Sequence, residues 1–380
     1  MTHRERLNKA LSHQEPDRVP FDLGSSSNTG INVQAYERLK KFLGIDSPTR
    51  ILDKPFQLAD LSQDEKLLEK LGIDTRGVFP RPRAGWNYKV YPDGSYEDEW
   101  GLRRRMPEGG FYYDVVYGPF WEGITPQALD KFPFPDGKDP SRVRGIKEEI
   151  LDYHNRNYGV VVNIRGGFIT QSQLMRGFEG WFTDLILNPE PLCDLMDRAL
   201  QYQIDLAHSL LRGVGNKVDV VVYGDDVGVQ QGLMISPQIY RQYLKPRQCK
   251  LFQAIREETK AKIQYHTCGS VYPLIPDFIE IGVDILNPIQ VSAKDMDPAR
   301  LKREFGERLS FWGGVDTQRV LPRGTPEEVK EEVRRRIEEM GKGGGYVLGA
   351  VHNIQPDVPP ENIVALFEAG KEFSYYSIIP

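Results

Sequence analysis

The chain is poor in cysteine: among 380 residues only Cys193, Cys249 and Cys268 occur. Three thiols cannot build a disulfide framework, and the expectation is a reducing, cytoplasmic setting. No apolar run approaches the roughly 20 residues that a membrane span requires. The opening Met1-Thr2-His3-Arg4-Glu5-Arg6 lacks the apolar core of a signal peptide. An excess of positive charge is missing too. Lys and Arg number 49 against 54 Asp and Glu, a net charge of −5, which argues against nucleic acid or an anionic membrane as partner. No Ser/His/Asp elbow, P-loop or His-Glu-x-x-His motif is found. No glycine-rich dinucleotide fingerprint follows an early strand, which weighs against a doubly wound open sheet.

Short apolar runs are present, each closed by Gly, Asn, Asp or His. They lie at 19–23, 160–165, 218–224, 263–266, 283–287, 309–313 and 346–349. Too short for helices and without polar alternation, they read as strands buried on both faces. Amphipathic helical stretches separate them. One runs from Pro189 to Gly213, another opens at Ser236-Pro237, and a third opens at the capping box Thr325-Pro326-Glu327-Glu328. A last helix starts at Pro359-Pro360-Glu361. Strand alternating with helix implies βαβ units. The spacing predicts a (β/α)8 TIM-type barrel forming a single domain, 1–380. The Tyr-, Trp-, Arg- and Gly-rich stretch 76–121, with its Pro92-Asp93-Gly94 turn, is expected to be a small β meander inserted into it.

In such barrels the active site gathers at the carboxyl ends of the strands. Those ends carry Arg165, Asp225, Asp226, His266, Cys268, Asn287, Asp316 and His352. His266 and Cys268 stand at i and i+2, so both side chains leave the strand end on one side. Zinc takes N and S donors of this kind. His352 follows the strand near 346 and faces the pair across the mouth. It is either a third ligand, leaving the fourth position open to substrate, a hydrogen-bond donor to substrate, or a capping group. Asp225 and Asp226 could cap the next segment, bind a cation or act as acid and base; only one can face the axis, and Asp225 is the favoured one. Tyr223, Asn287, Gln290 and Asp316 are candidate substrate contacts. His3, His13, His154, His208, Cys193 and Cys249 read as surface or packing residues.

The motifs Gly224-Asp225-Asp226-Val227-Gly228 with Ile235-Ser236-Pro237-Gln238-Ile239-Tyr240, His266-Thr267-Cys268-Gly269-Ser270, Phe311-Trp312-Gly313-Gly314-Val315-Asp316 and His352-Asn353-Ile354-Gln355-Pro356 are together specific. With them the chain resembles the uroporphyrinogen decarboxylase superfamily, and within it the cobamide-dependent methyltransferase branch. The resemblance spans nearly the whole chain and implies a (β/α)8 barrel. In the branch, zinc is held by a His-x-Cys pair and a later cysteine. His266 and Cys268 match the pair, while His352 stands at the later position. The decarboxylases grip their substrate with an arginine-rich amino-terminal segment; the matching residues 21–30 contain no arginine. The resemblance therefore implies zinc at His266, Cys268 and His352, and a cobamide carried by a separate corrinoid protein. A small thiol or methoxy compound would be methyl donor or acceptor, with Asp225 or Asp226 handling its proton. A homo-oligomer is compatible with it. A metal-independent decarboxylase is the alternative.

Overall fold

The computed structural model describes every residue except Gln63, Ile378 and Pro380. Seven parallel strands form one curved sheet in chain order: Thr75–Val78, Gly159–Asn163, Val220–Gly224, Lys262–His266, Ile285–Asn287, Ser310–Trp312 and Tyr346–Val347. Residues 20–22 close the circle. Leu348 N–H donates to the Pro20 carbonyl and Asp22 N–H to the Leu348 carbonyl, while on the other side Asp74 N–H donates to the carbonyl of Phe21. With this eighth stretch of backbone the sheet becomes a TIM-type barrel, and closure removes the open edges on which another chain could pair.

Each strand sorts its side chains by parity. Val161, Val220, Val222, Ile285, Trp312 and Val347 pack with one another inside the barrel, together with Leu7 and Leu11. Their neighbours Val160, Val162, Val221, Tyr223, Tyr265, Phe311 and Tyr346 join the larger core between sheet and helices. Both faces are buried, which is why the runs are apolar without alternation. The helix His3–Ala10, opened by a capping box at Thr2, brings in Leu7 and Leu11. Gly345 N–H bonds to the Ala10 carbonyl and Arg4 N–H to that of Asn157, both just before strands begin. The amino-terminal helix thus plugs the end where the strands start and leaves the opposite end for chemistry.

The outer helices follow their sequence signals. Pro189–Leu211 buries a stripe that includes Leu192, Leu195, Met196, Ala199, Leu206 and Leu210. The Thr325 capping box opens Pro326–Met340, and Ser236 caps Pro237–Ile239. Among the described residues no helix is long and apolar enough to cross a membrane.

Two boundaries differ from the sequence reading. The stretch 76–121 is not all insertion, because Thr75–Val78 is a barrel strand paired with Gly159–Asn163. Its inward positions are Thr75 and Gly77, and a Cβ at Gly77 would lie 2.5 Å from the Ser25 carbonyl oxygen. Glycine is required there, so the strand shows no apolar run. The antiparallel meander comprises Lys89–Val90, Tyr96–Glu97, Arg103–Arg105 and Asp114–Tyr117. The apolar run 19–23, in turn, makes a closing edge with one isolated bridge, Phe21 to Leu348, rather than a full strand.

Candidate metal centre at the barrel mouth

Strand Lys262–His266 pairs with Val220–Gly224 on one side and Ile285–Asn287 on the other, placing His266 level with Gly224 and Asn287. Gly224 is the inward residue of its strand at this level. A Cβ there would lie 3.3 Å from both His266 Cβ and Asn28 Nδ2. The missing side chain leaves room for the imidazole. Two residues on, Cys268 enters a turn at Gly269 (φ +87°), where a Cβ would run into Gly228 at 2.6 Å. Gln290 fixes this turn by accepting from Gly269 N–H (2.7 Å), and its own amide donates to Gln230.

His266, Cys268 and His352 each offer a donor atom, and the three atoms lie within 4.8 Å of one another. The rings of His266 and His352 meet edge-on, 5.4 Å between centroids. Asn287 settles the tautomer of His266. Its Nδ2 donates to the Trp312 carbonyl (3.1 Å), so its Oδ1 must accept, and it lies 2.6 Å from His266 Nδ1. The proton of His266 is therefore on Nδ1, and Nε2 turns its lone pair to the cluster. The Cys268 thiol lies 3.4 Å from that Nε2.

Electrostatics prepare the two imidazoles. Burial pushes His266 down to about 4, against the smaller pull of its bond to Asn287. Burial, then the neighbouring His266, pushes His352 down to about 4, while Asp226 opposes the shift. Both imidazoles are neutral at pH 7 and free to ligate. Burial, followed by the Asp226 charge, holds the Cys268 thiol well above its ordinary value. Burial likewise raises Asp226. The donor set fits zinc on three counts. The nitrogens are unprotonated, the thiol is within reach, and two donors at zinc's usual bond lengths and a tetrahedral angle stand roughly 3.5 Å apart, matching the 3.4 Å between Nε2 and Sγ.

The two aspartates exchange the roles expected of them. Inward and outward positions alternate from Val222 (inside) through Tyr223 (outside), so Asp225 points out and Asp226 in. Asp225 is buried at the amino end of helix Phe168–Arg176, where it accepts from Ile169 N–H (3.0 Å) and Thr170 N–H (2.7 Å) and from the Tyr223 hydroxyl. It caps a helix whose own N-cap, Gly167, has no side chain to do so. Asp226 instead accepts from Cys268 N–H (2.7 Å) and faces His352.

The other candidates separate similarly. Tyr223 is fully buried outside the barrel, stacked on Tyr265 (5.6 Å) and edge-on to Phe252, so it packs rather than contacts substrate. Asp316 accepts from Gln318 and Arg319 N–H and caps its own turn. Asn287 and Gln290 hold His266 and the Cys268 turn in place. Arg165 lies at its strand end with its guanidinium on Asp53. Sequence reasoning did not single out Tyr112, which the meander brings against Gln355 in the loop after His352; the signal available was only the aromatic richness of the insertion.

Fold and site thus define a (β/α)8-barrel protein with a compact nitrogen–sulfur donor cluster at the carboxyl ends of its strands. The uroporphyrinogen decarboxylase (URO-D) family profile matches residues 124–373, and the chain belongs to that family. A uroporphyrinogen decarboxylase of Thermus thermophilus is 27% identical over 206 residues, 54% of this chain and 52% of that protein. The same-named protein of Pseudoalteromonas translucida is 38% identical over 73 residues, 19% of this chain and 20% of its own. The chain therefore aligns with about a fifth to about half of the length of these curated relatives. Among solved structures, a methyltransferase from Methanosarcina mazei superposes with a TM-score of 0.65 and 21% identity, covering 98% of this chain and 99% of that one. At that identity the likeness speaks for the fold.

Proposed function

We propose that the protein is a zinc-dependent methyltransferase that moves a methyl group between a small thiol or methoxy compound and the cobalt of a cobamide on a separate corrinoid protein. The observation that carries this reading is the convergence of His266, Cys268 and His352 at the barrel mouth. Zinc held by these three side chains would act as a Lewis acid on the substrate's sulfur or oxygen. A set with one thiolate neutralises less of the metal's charge than one with two, which suits an oxygen-bound methyl as well as a thiol.

The chain's own residues supply the rest. Asn287 holds His266 with Nε2 toward the site. Gln290 and Asp226 hold the Cys268 turn through its backbone N–H groups. Asp226, with its carboxyl shifted upward, can accept the proton that a thiol sheds. Closure of the opposite end by Leu7 and Leu11 forces substrate and cobamide to approach from the same side.

Metal-independent decarboxylation is the second reading, favoured by the names of the curated relatives. Against it stands the loop 24–30, built from Ser, Asn, Thr and Gly with hydrogen bonds among Ser26, Asn28 and Thr29 and no arginine to bind a polycarboxylate. The two are separated by incubating the zinc-loaded protein with free cob(I)alamin and a methoxy or methylthio donor, alongside a uroporphyrinogen assay for CO2. Methylcobalamin formation supports methyl transfer. CO2 release with no methylcobalamin, from a protein stripped of metal, would replace it with decarboxylation.

A further inference from the structure

The meander leans on a short antiparallel ribbon in which Ile51–Asp53 pairs with Leu58–Ala59. Tyr113 N–H, from the meander, bonds to the Pro55 carbonyl in the ribbon's turn (2.9 Å). The ribbon is tied to the barrel on two sides. Ala59 N–H bonds to the Ile31 carbonyl and Val33 N–H to that of Gln57, while Ile354 N–H, just after His352, bonds to Gly30. On the other side Asp53 holds the guanidinium of Arg165, which lies just beyond the end of strand Gly159–Asn163. The ribbon's turn therefore sits on the rim at the carboxyl ends of the strands, covered by the meander.

Charge is out of balance there. Asp53 takes Arg165, and Asp98 takes Arg104 (2.9 Å). Lys54, next to Asp53, has no carboxylate and no hydrogen-bond acceptor among the described residues. Its Nζ lies instead over the rings of Tyr88 (4.4 Å) and Tyr96 (4.1 Å), which meet edge-on. Tyr96 stands directly opposite Arg104 in the meander, so Lys54 and Arg104 flank one ring, and Arg165 is joined to them through Asp53. Burial raises the Tyr88 phenol and the charge of Arg165 opposes it. Tyr96 is 1% exposed and its hydroxyl has no partner. An ammonium and a buried phenol, both donors, thus lack the acceptor that buried polar groups as a rule possess. The place is open to a ligand, since 39% of the Arg165 side chain is exposed and Asp53 engages only one of its guanidinium nitrogens.

We infer that Lys54, with Arg165 beside it, binds the carboxylate of a small anionic substrate on the rim of the barrel mouth. Three cations against two carboxylates leave a surplus of one charge, which suits a single carboxylate and not the many of a porphyrinogen. The interior of an eight-stranded barrel is barely wider than its side chains, so a cation on the rim and the donor cluster at the same mouth lie a small molecule's length apart. The inference rests on the function proposed above and narrows its substrate to a methoxy or methylthio compound that also carries a carboxylate.

The test is calorimetric titration with para-methoxybenzoate and para-methoxybenzamide, probes of nearly equal size that differ in charge. The carboxylate should bind the wild type about tenfold more tightly or better, as for one hydrogen bond between charged groups. Lys54→Met keeps an apolar stem over the two rings, leaves no carboxylate unpaired and is expected to melt with the wild type. It should weaken the carboxylate about tenfold and change the amide by less than about twofold. Arg165→Lys, which can still pair with Asp53 but loses its second arm, should act in the same direction. Equal binding of the two probes, binding of neither, or a Lys54→Met variant that keeps the preference would overturn the subsite; the last result would assign the carboxylate to the metal instead. Zinc is measured in the same preparations. Zinc without the preference overturns the subsite alone, whereas the preference without zinc leaves an anion site and removes the reaction proposed for it.

Discussion

The site depends on one amide as much as on its donors. Asn287 turns its oxygen to His266 because its nitrogen is committed to the Trp312 carbonyl. Replacing Asn287 with Leu should leave the barrel folded but free the imidazole to rotate and change tautomer. Zinc affinity, measured by competition with a chromophoric chelator, should drop about 10- to 100-fold; an unchanged affinity would show that His266 is held by packing alone. The donors themselves were legible, since His266 and Cys268 follow from a period of two. The aspartates were not legible, because an unbroken apolar run does not say which parity faces inward; the structure places Val220 and Val222 inside, and that parity puts Asp226 there too. The second partners of Asn287 and Gln290 lie on other elements, so nothing local in the sequence announces them.

At the scale of elements, a strand supplies the cap that a helix lacks. Asp225 reaches from the end of Val220–Gly224 to the first amides of Phe168–Arg176, and Gly167 makes room, since a Cβ there would overlap the carboxylate at 1.8 Å. Burial, opposed by those hydrogen bonds, raises Asp225 to about 6. A carboxyl raised above its ordinary value of 3.8 binds more protons in the folded state than in the unfolded one. Its contribution to stability is therefore greatest below the unfolded value and is lost as pH rises toward 6. Asp225→Asn removes this titration. The variant should gain on the wild type by about 2 kcal/mol between pH 4 and pH 6, and by less than about 0.5 kcal/mol from there to pH 8. Denaturant melts across that range provide the check, and parallel pH profiles would contradict it. Helix stripes and capping boxes were legible because they are local. This cap was not, because its two halves stand 55 residues apart.

For the whole molecule, closure is the organising fact. The last joint of the barrel, at residues 20–22, is tied by Asp74, which is fully buried and bonded to Phe21 N–H (2.7 Å), Arg6, Arg18 and His3. Removing that carboxylate by Asp74→Ala would leave two buried guanidinium groups short of a partner and an edge unpinned. The expected loss is about 3–5 kcal/mol, read as a shift in denaturant midpoint, with metal content of the folded fraction unchanged. A loss under about 1 kcal/mol would mean that the joint holds by its backbone bonds alone. The barrel was legible from the buried strands between 160 and 349. Its closing edge was legible as the apolar run 19–23, though not its reduction to one bridge; its first strand was not, because Thr75 and Gly77 serve close backbone approach rather than apolar surface.

Everything proposed for the mouth of the barrel turns on a metal being held there, and elemental analysis decides it. The protein would be purified under reducing conditions without chelator, beside a His266→Ala/Cys268→Ala double variant. About one zinc per chain is expected in the wild type, from its three-donor cluster, and none in a folded double variant. A folded wild type free of zinc, and unable to take it up on titration, would contradict the metal centre.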